Sequence, residues 1–362
     1  MTVKQLLMRL AGMVMLSALP PVWSMGAVPQ LVQKDSGVSV ATLYTGYPAI
    51  FWLDNTQVVF LGFDGKTYRL SESGVKRPMF RVHTWNTETG EITVGAEASK
   101  MLCVHAGRIK YATYVLKGGR YAEEEMQWFA GNIGEEREAD RALEGLTASD
   151  WETHWPTCQQ VKQMPPLPTW TEGRSIKRLL PEHGFLDLGV LRGQEDEVKY
   201  YPLGAGKDEG IVMPFKKGRF STVTIRFFPF KNAYLIESSH WAYVKPWPVD
   251  FPTKRLWWLH PDGRVEEYAV PHHTSYQFYY ASNKGWVFKS NDTSREKVGE
   301  AGLYLVQGEQ ITRLVSAVVS NPAVSPDGCR IAYRHDPHDG STGYDLISRI
   351  TLRMIDLCEG GN

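Results

Sequence analysis

The chain has 362 residues, of which 43% are hydrophobic and 12% aromatic, so it is long enough to bury a large core within one domain. Its 40 Lys and Arg residues balance its 40 Asp and Glu residues, which gives a formal net charge of zero. Proteins that bind nucleic acid or anionic membranes by charge are usually strongly basic, so this balance argues against both functions.

Residues 1–27 have the pattern of a signal peptide, the segment that directs export and is then removed. Lys4 and Arg9 form its positive flank, and residues 10–19 are apolar and uncharged. This run is shorter than the roughly 20 apolar residues of a membrane-spanning helix, although a short membrane anchor is the alternative. We predict cleavage between Ser24 and Val28, a periplasmic or secreted protein, and no stable membrane span.

Short segments of alternating apolar and polar residues, separated by turns, indicate β-strands in the first half of the mature chain. They lie at residues 51–61, 80–96, 101–115 and 126–130. Residues 134–151 break this pattern, because they are rich in Glu, Arg, Ala and Leu and favour a short helix. We predict that this helix is an insertion on a loop.

Strand pairs return in the second half, each with a turn at its centre. They lie at residues 222–236, 256–270, 276–289 and 303–315. The last unit runs from Asn321 to Cys358, and its first turn is Pro326-Asp-Gly328, a sequence that favours a tight turn.

Residues 321–333 read Asn-Pro-Ala-Val-Ser-Pro-Asp-Gly-Cys-Arg-Ile-Ala-Tyr. This segment resembles the Ser-Pro-Asp-Gly-x-x-Ile-Ala-Tyr signature of the WD40-like (PD40-type) repeats in TolB-like β-propellers. The resemblance implies an all-β fold, with a β-propeller over residues 28–362 whose blades recur about every 40 to 50 residues. The strand pairs predict about six four-stranded blades, with seven as the alternative.

The last blade ends after its third strand, at residues 351–357, and therefore lacks one strand. An open strand edge exposes unpaired backbone groups, which folded proteins avoid. We predict that residues 31–44 pair beside residues 351–357, so that the N-terminal strand closes the ring.

Export makes disulfides possible for the four cysteines, which allow three pairings. Cys329 begins one strand of the last blade and Cys358 ends the next, so antiparallel pairing places them side by side. Cys103 and Cys158 then remain as a second pair by elimination. Four buried free thiols are the alternative.

Two histidine-containing segments are candidate binding sites. His335, Asp336, His338 and Asp339 are metal candidates, but their spacing matches neither an EF-hand nor a zinc motif, which favours a solvated loop. His272 and His273 follow Pro271 at a blade junction. Because adjacent strand residues point to opposite faces, this pair cannot easily hold one ion, and a connecting loop is the preferred interpretation.

Four tryptophans and one tyrosine lie close together in the sequence: Trp241, Tyr243, Trp247, Trp257 and Trp258. Trp257 falls within a strand, where a large ring is expected to fill the space between blades. Trp241 and Trp247 fall in a loop and are candidates for surface recognition.

No Gly-x-Ser-x-Gly elbow and no Gly-x-Gly-x-x-Gly fingerprint occur in the sequence. We therefore predict a non-enzymatic module that binds another envelope protein or ligand and uses no cofactor. The alternative is a propeller enzyme, lactonase-like or a sugar-processing hydrolase, with a metal in its central channel. Its candidate residues are Asp54, Asp262, Asp292 and Asp327.

Overall fold

The computed structural model describes residues 31–40, 50–63, 68–70, 76–98, 100–105, 108–113, 116–117, 120–121, 127–139, 177–180, 183–189, 196–217, 221–240, 254–268, 278–290, 301–308, 310–337 and 349–359. These residues form an all-β chain of 28 strands. No helix within these ranges is long and apolar enough to cross a membrane.

The strands follow one another in chain order. Strands β1 to β7 are Val32–Val40, Ile50–Trp52, Gln57–Phe63, Tyr68–Leu70, Lys76–Pro78, Arg81–Asn86 and Ile92–Glu97. Strands β8 to β14 are Lys100–His105, Arg108–Thr113, Leu116–Lys117, Arg120–Tyr121, Gln127–Asn132, Arg137–Ala139 and Lys177–Leu180. Strands β15 to β21 are Gly184–Asp187, Asp196–Pro202, Ile211–Lys217, Ser221–Phe228, Ala233–His240, Lys254–Leu259 and Val265–Tyr268. Strands β22 to β28 are Phe278–Ser282, Gly285–Ser290, Gly302–Gln307, Gln310–Val315, Val318–Val324, Arg330–Asp336 and Thr351–Asp356.

Apart from two small hairpins, these strands form six antiparallel meanders of four strands each. Meander 1 contains β2, β3, β6 and β7, and meander 2 contains β8, β9, β12 and β13. Meanders 3, 4 and 5 are β14–β17, β18–β21 and β22–β25, and meander 6 is β26, β27, β28 and β1. Meanders 1 and 6 share one sheet, because β1 also pairs with β3 at two positions. Repeated four-stranded meanders are the design of propeller blades.

The strand pairing predicted for the two ends of the chain is confirmed. β1 runs antiparallel to β28, from Val32 opposite Asp356 to Ser39 opposite Thr351. Side chains reinforce the pairing, since Arg353 Nε donates a hydrogen bond to Asp35 Oδ2 at 2.8 Å. The N-terminal strand therefore completes the last meander.

The helix predicted for residues 134–151 is wrong where the structure describes this segment. Arg137–Ala139 form β13 and pair with Trp128–Ala130 of β12. Gly134 has a φ of 87°, a conformation suited to a tight turn and not to a right-handed helix. Backbone pairing with β12 thus overrides the helical propensity of the Glu and Arg residues. Residues 140–151 lie outside the described ranges.

Five hydrophobic clusters join the meanders in series. They lie between meanders 1 and 2, 3 and 4, 4 and 5, 5 and 6, and 6 and 1. In the cluster between meanders 3 and 4, Trp257 is 1% exposed and stacks on Phe215, with ring centroids 4.6 Å apart. The packing role predicted for Trp257 is therefore confirmed, and the meanders of these five pairs share hydrophobic cores.

The predicted bridge between Cys329 and Cys358 is present, with the two Cα atoms 5.3 Å apart. Next to it, Arg330 Nε donates to Asp356 Oδ2 at 2.8 Å, and its Nη1 donates to Asn55 O at 2.6 Å. The bridge and Arg330 thus fasten meander 6 internally and to meander 1. Cys158 lies outside the described residues, so its pairing with Cys103 stays a prediction.

Replacing both Cys329 and Cys358 by Ser is expected to lower the free energy of unfolding by about 3–4 kcal/mol, because the bridge spans 29 residues and restricts the unfolded chain. Urea unfolding without reductant measures the difference. With reductant present, the wild-type protein and the double variant should have equal stability. Equal midpoints for wild type and variant would contradict the expectation.

Candidate functional site

The connections between strands fall at two ends of the meanders, because successive strands are antiparallel. One end, named the turn rim, has short connections, among them residues 53–56, 87–91, 133–136, 229–232, 260–264, 283–284 and 325–329. The other end, named the loop rim, has three short links and longer connections at residues 41–49, 64–80, 114–126, 140–176, 188–195, 241–253, 269–277, 291–301 and 337–350. The chain thus places its longest connections at one rim.

Turns of neighbouring meanders contact each other at the turn rim. The backbone N–H of Asn283, in meander 5, donates to Gly328 O of meander 6 at 2.9 Å. The N–H of Asp327, in the same turn as Gly328, donates to Asn55 Oδ1 of meander 1 at 3.0 Å. These bonds show that the turns of three meanders lie on the same side.

Meander 4 reaches the same place through its turn at Pro229–Lys231. The ring of Phe230 lies so close to Gly328 that a Cβ added there would stand 3.0 Å from Phe230 Cδ1. Gly328 also has a φ of 76°, which disfavours any residue with a side chain. The Pro-Asp-Gly turn therefore needs its glycine both for its backbone and for the ring beside it.

The aspartates considered for an enzyme have structural partners at the turn rim. Asp54, Asp262 and Asp327 each accept a backbone N–H from two residues later, at 2.7, 3.0 and 3.0 Å, from Thr56, Arg264 and Cys329 respectively. This is the turn-forming bond for which Asp is favoured. Asp292 lies outside the described residues.

The sequence-predicted binding residues belong to connections of the loop rim. Trp241 and Trp247 lie in connection 241–253, His272 and His273 in connection 269–277, and His338 and Asp339 in connection 337–350. All six lie outside the described residues. The described strand ends show only that these three connections begin and end at one rim.

His335 and Asp336 are the last two residues of β27. His335 is 9% exposed, and its ring lies edge-on to Tyr333 at 6.3 Å between centroids. Burial and the positive charge of Arg353 lower the pKa of His335, which favours the neutral imidazole. Within the ranges that the structure describes, no three His, Cys, Asp or Glu side chains are grouped so as to hold a metal ion.

A polar group that sequence reasoning missed lies inside the chain, and we name it the interior cluster: Arg226, Glu237, Tyr280 and Lys289. The guanidinium of Arg226 stands 4.9 Å from the centre of the Tyr280 ring. Its Nη1 atom is 3.7 Å from Glu237 Oε2, and the two side chains are 22% and 6% exposed. The cluster thus joins meander 4 to meander 5 through charged and aromatic groups.

Burial shifts the pKa values of two members of this cluster, Lys289 and Tyr280. It lowers the pKa of Lys289, and the charge of Arg226 lowers that pKa further. Burial also raises the pKa of Tyr280, so its hydroxyl stays protonated and able to donate a hydrogen bond. One signal in the sequence was available, since Arg226 stands between Ile225 and Phe227, and Glu237 directly follows the apolar residues 233–236.

No protein-family model and no curated protein matches this chain. Among solved structures it is similar to the β-propeller domain of the Trilobed protease from Pyrococcus furiosus, with 11% identity, a TM-score of 0.33, and coverage of 80% of this chain and 79% of that one. It is also similar to TolB from Acinetobacter baumannii, with 11% identity, a TM-score of 0.36, and coverage of 85% of this chain and 65% of that one.

A third similar structure is the oligogalacturonate lyase from Vibrio parahaemolyticus, with 12% identity, a TM-score of 0.41, and coverage of 94% of this chain and 100% of that one. The structural matches therefore include propeller domains and TolB, whose repeat the segment 321–333 resembles. They also include an enzyme, so they do not separate a binding module from a catalyst.

Proposed function

We propose that this chain is an exported, non-enzymatic β-propeller of six blades that binds a protein or ligand of the cell envelope at its loop rim. The observation that carries the proposal is the unequal distribution of connections, with tight, mutually bonded turns at one rim and long connections at the other. Connections longer than about 12–15 residues are uncommon in compact domains and are often functional. Residues 140–176 and 337–350 separate consecutive described strands by 37 and 14 positions.

The ring needs six contacts between blades, and five are described. The support for the sixth, between meanders 2 and 3, is that both have a second buried face. On meander 2, Lys110 and Trp128 are 5% and 7% exposed, and they face away from the cluster shared with meander 1. On meander 3, Phe185 and Tyr201 are 5% and 7% exposed and stack at 4.8 Å, away from the cluster shared with meander 4. In the proposed ring, these two faces pack against each other and so complete the circle of blades.

Two further observations support export and a non-enzymatic role. The predicted signal peptide would deliver the chain to an oxidising compartment, where the Cys329–Cys358 bridge persists. The aspartates Asp54, Asp262 and Asp327 are engaged in turns, which weakens the case for a catalytic set at the turn rim.

Capture of envelope proteins and ligands by the purified mature protein tests the proposal. We compare wild type with two variants, Trp241→Ala/Trp247→Ala at the loop rim and Arg264→Ala at the turn rim. Arg264 is the matched control because it is exposed on a short turn. We expect a specifically retained species that the loop-rim variant loses and the control keeps.

Loss of that species in the Arg264 variant alone would overturn the assignment of the rim. Metal analysis of the same protein decides between the two functional classes. Stoichiometric calcium retained after dialysis would instead support the propeller-enzyme alternative.

A further inference from the structure

An open cavity lies at the turn-rim end of meander 2. Its volume is about 790 Å³, which is within the size range of sites for small molecules. The described residues that line it are Arg108 at the start of β9, residues 130–132 at the end of β12, and residues 135–137 of the following turn and β13. These residues all belong to meander 2, so the described walls of the cavity do not depend on the contact between meanders 2 and 3.

The strand register places three positive charges on one face of meander 2. Ala130 of β12 lies opposite Lys110 on one side and Arg137 on the other. Asn132, two positions further along β12, lies opposite Arg108. Directly opposed residues, and residues two positions apart in a strand, point to the same face of a sheet. The cationic side chains of β9 and β13 therefore surround the small side chain of Ala130.

The two arginines of the cavity are available to a ligand. Arg108 and Arg137 are exposed, and among the residues that the structure describes neither side chain has a hydrogen-bond or ion-pair partner. The carboxylates of the lining have other partners. Glu135 Oε2 accepts from Asn132 Nδ2 at 3.1 Å, and Glu136 Oε1 accepts a backbone N–H of its own turn at 3.0 Å. An anion from solvent can therefore reach both guanidinium groups.

The spacing of the arginines favours a ligand with two separate negative groups. Arg108 and Arg137 stand on β9 and β13, on either side of β12. Because neighbouring strands are about 4.8 Å apart, these two backbones are about 10 Å apart across the sheet. A single phosphate holds its charge at one point, whereas a short chain with a carboxylate at each end can meet both arginines. Guanidinium groups match carboxylates through paired N–H···O bonds.

We propose that Arg108 and Arg137 bind the two ends of a small dicarboxylate in this cavity, with Ala130 as its floor. In the proposed ring, neighbouring blades diverge outwards, and β12 and β13 are the two outer strands of their blade. The cavity therefore stays open beside meander 3. It lies at the rim opposite the proposed partner site, so this ligand site goes beyond the proposed function.

Calorimetric titration of the mature protein with succinate, acetate and inorganic phosphate, at constant ionic strength, tests the proposal. We expect saturable binding of succinate that is about tenfold or more tighter than binding of the other two anions. Arg108→Gln and Arg137→Gln should each weaken succinate binding by about tenfold, as expected for loss of one charge-assisted contact. The melting temperature of the free protein should not change, because both side chains are exposed.

Arg81→Gln is the matched control, because Arg81 is also an exposed strand arginine but lies in meander 1, outside the cavity. Ala130→Leu keeps both charges and fills the floor, so it should abolish succinate binding, which general attraction between opposite charges would not explain. Absence of saturable succinate binding, equal weakening by Arg81→Gln, or equal affinity for acetate or phosphate would overturn the proposal. Partner capture at the loop rim uses other residues, so its success or failure is decided separately.

Discussion

Deletion of residues 31–40 from the mature protein is expected to abolish its cooperative unfolding transition. These residues include β1, which lies between β28 and β3 within one sheet. The deletion removes the buried side chain of Val40, the bond of Arg353 to Asp35, and the backbone pairing of a whole strand. It also leaves β28 as an open edge. We expect a loss of more than about 5 kcal/mol, which is comparable to the entire stability of many domains.

Thermal unfolding followed by circular dichroism measures this effect. The reference is the mature protein that begins at residue 28 and keeps residues 31–40. Adding a synthetic peptide of residues 31–40 to the deleted protein should restore part of the transition. An unchanged melting temperature after the deletion would show that β1 does not close the last meander.

Local sequence signals were sufficient for much of this architecture. The Pro-Asp-Gly turns and the alternating segments between them determine hairpins by short-range rules, so the four strand pairs after residue 221 are found where they were predicted. The pairing of β1 and the Cys329–Cys358 bridge followed from one further step, because a three-stranded blade leaves an edge and antiparallel strands bring those cysteines together.

The failures have a different physical origin. Residues 137–139 have helical composition but pair with β12, a partner that composition does not reveal. The interior cluster was missed because charged residues in strands are usually assigned to the solvent face. Arg226 instead meets Tyr280, which is 54 positions away on a different meander. Only the packing of one sheet against another brings such residues together, so single-sequence periodicity cannot find them.

Replacing Trp257 by Ala is expected to lower the free energy of unfolding by about 3–5 kcal/mol, the usual cost of removing a large buried aromatic side chain. Trp257 is 1% exposed, stacks on Phe215 across meanders 3 and 4 at 4.6 Å, and lies beneath the guanidinium of Arg255 at 5.3 Å. The cavity would open at the contact between two sheets, where backbone hydrogen bonds prevent either sheet from collapsing into it. Chemical unfolding at several denaturant concentrations measures the change.

Val94→Ala is the control for this substitution, because Val94 is 50% exposed and its truncation should cost less than about 0.5 kcal/mol. The loss of stability caused by Trp257→Phe should lie between the losses caused by Val94→Ala and Trp257→Ala, since a smaller ring still stacks on Phe215 and leaves a smaller cavity. An effect of Trp257→Ala as small as that of Val94→Ala would show that meanders 3 and 4 are not held together through this tryptophan. The continuous series of cores on which the ring depends would then be interrupted at that contact.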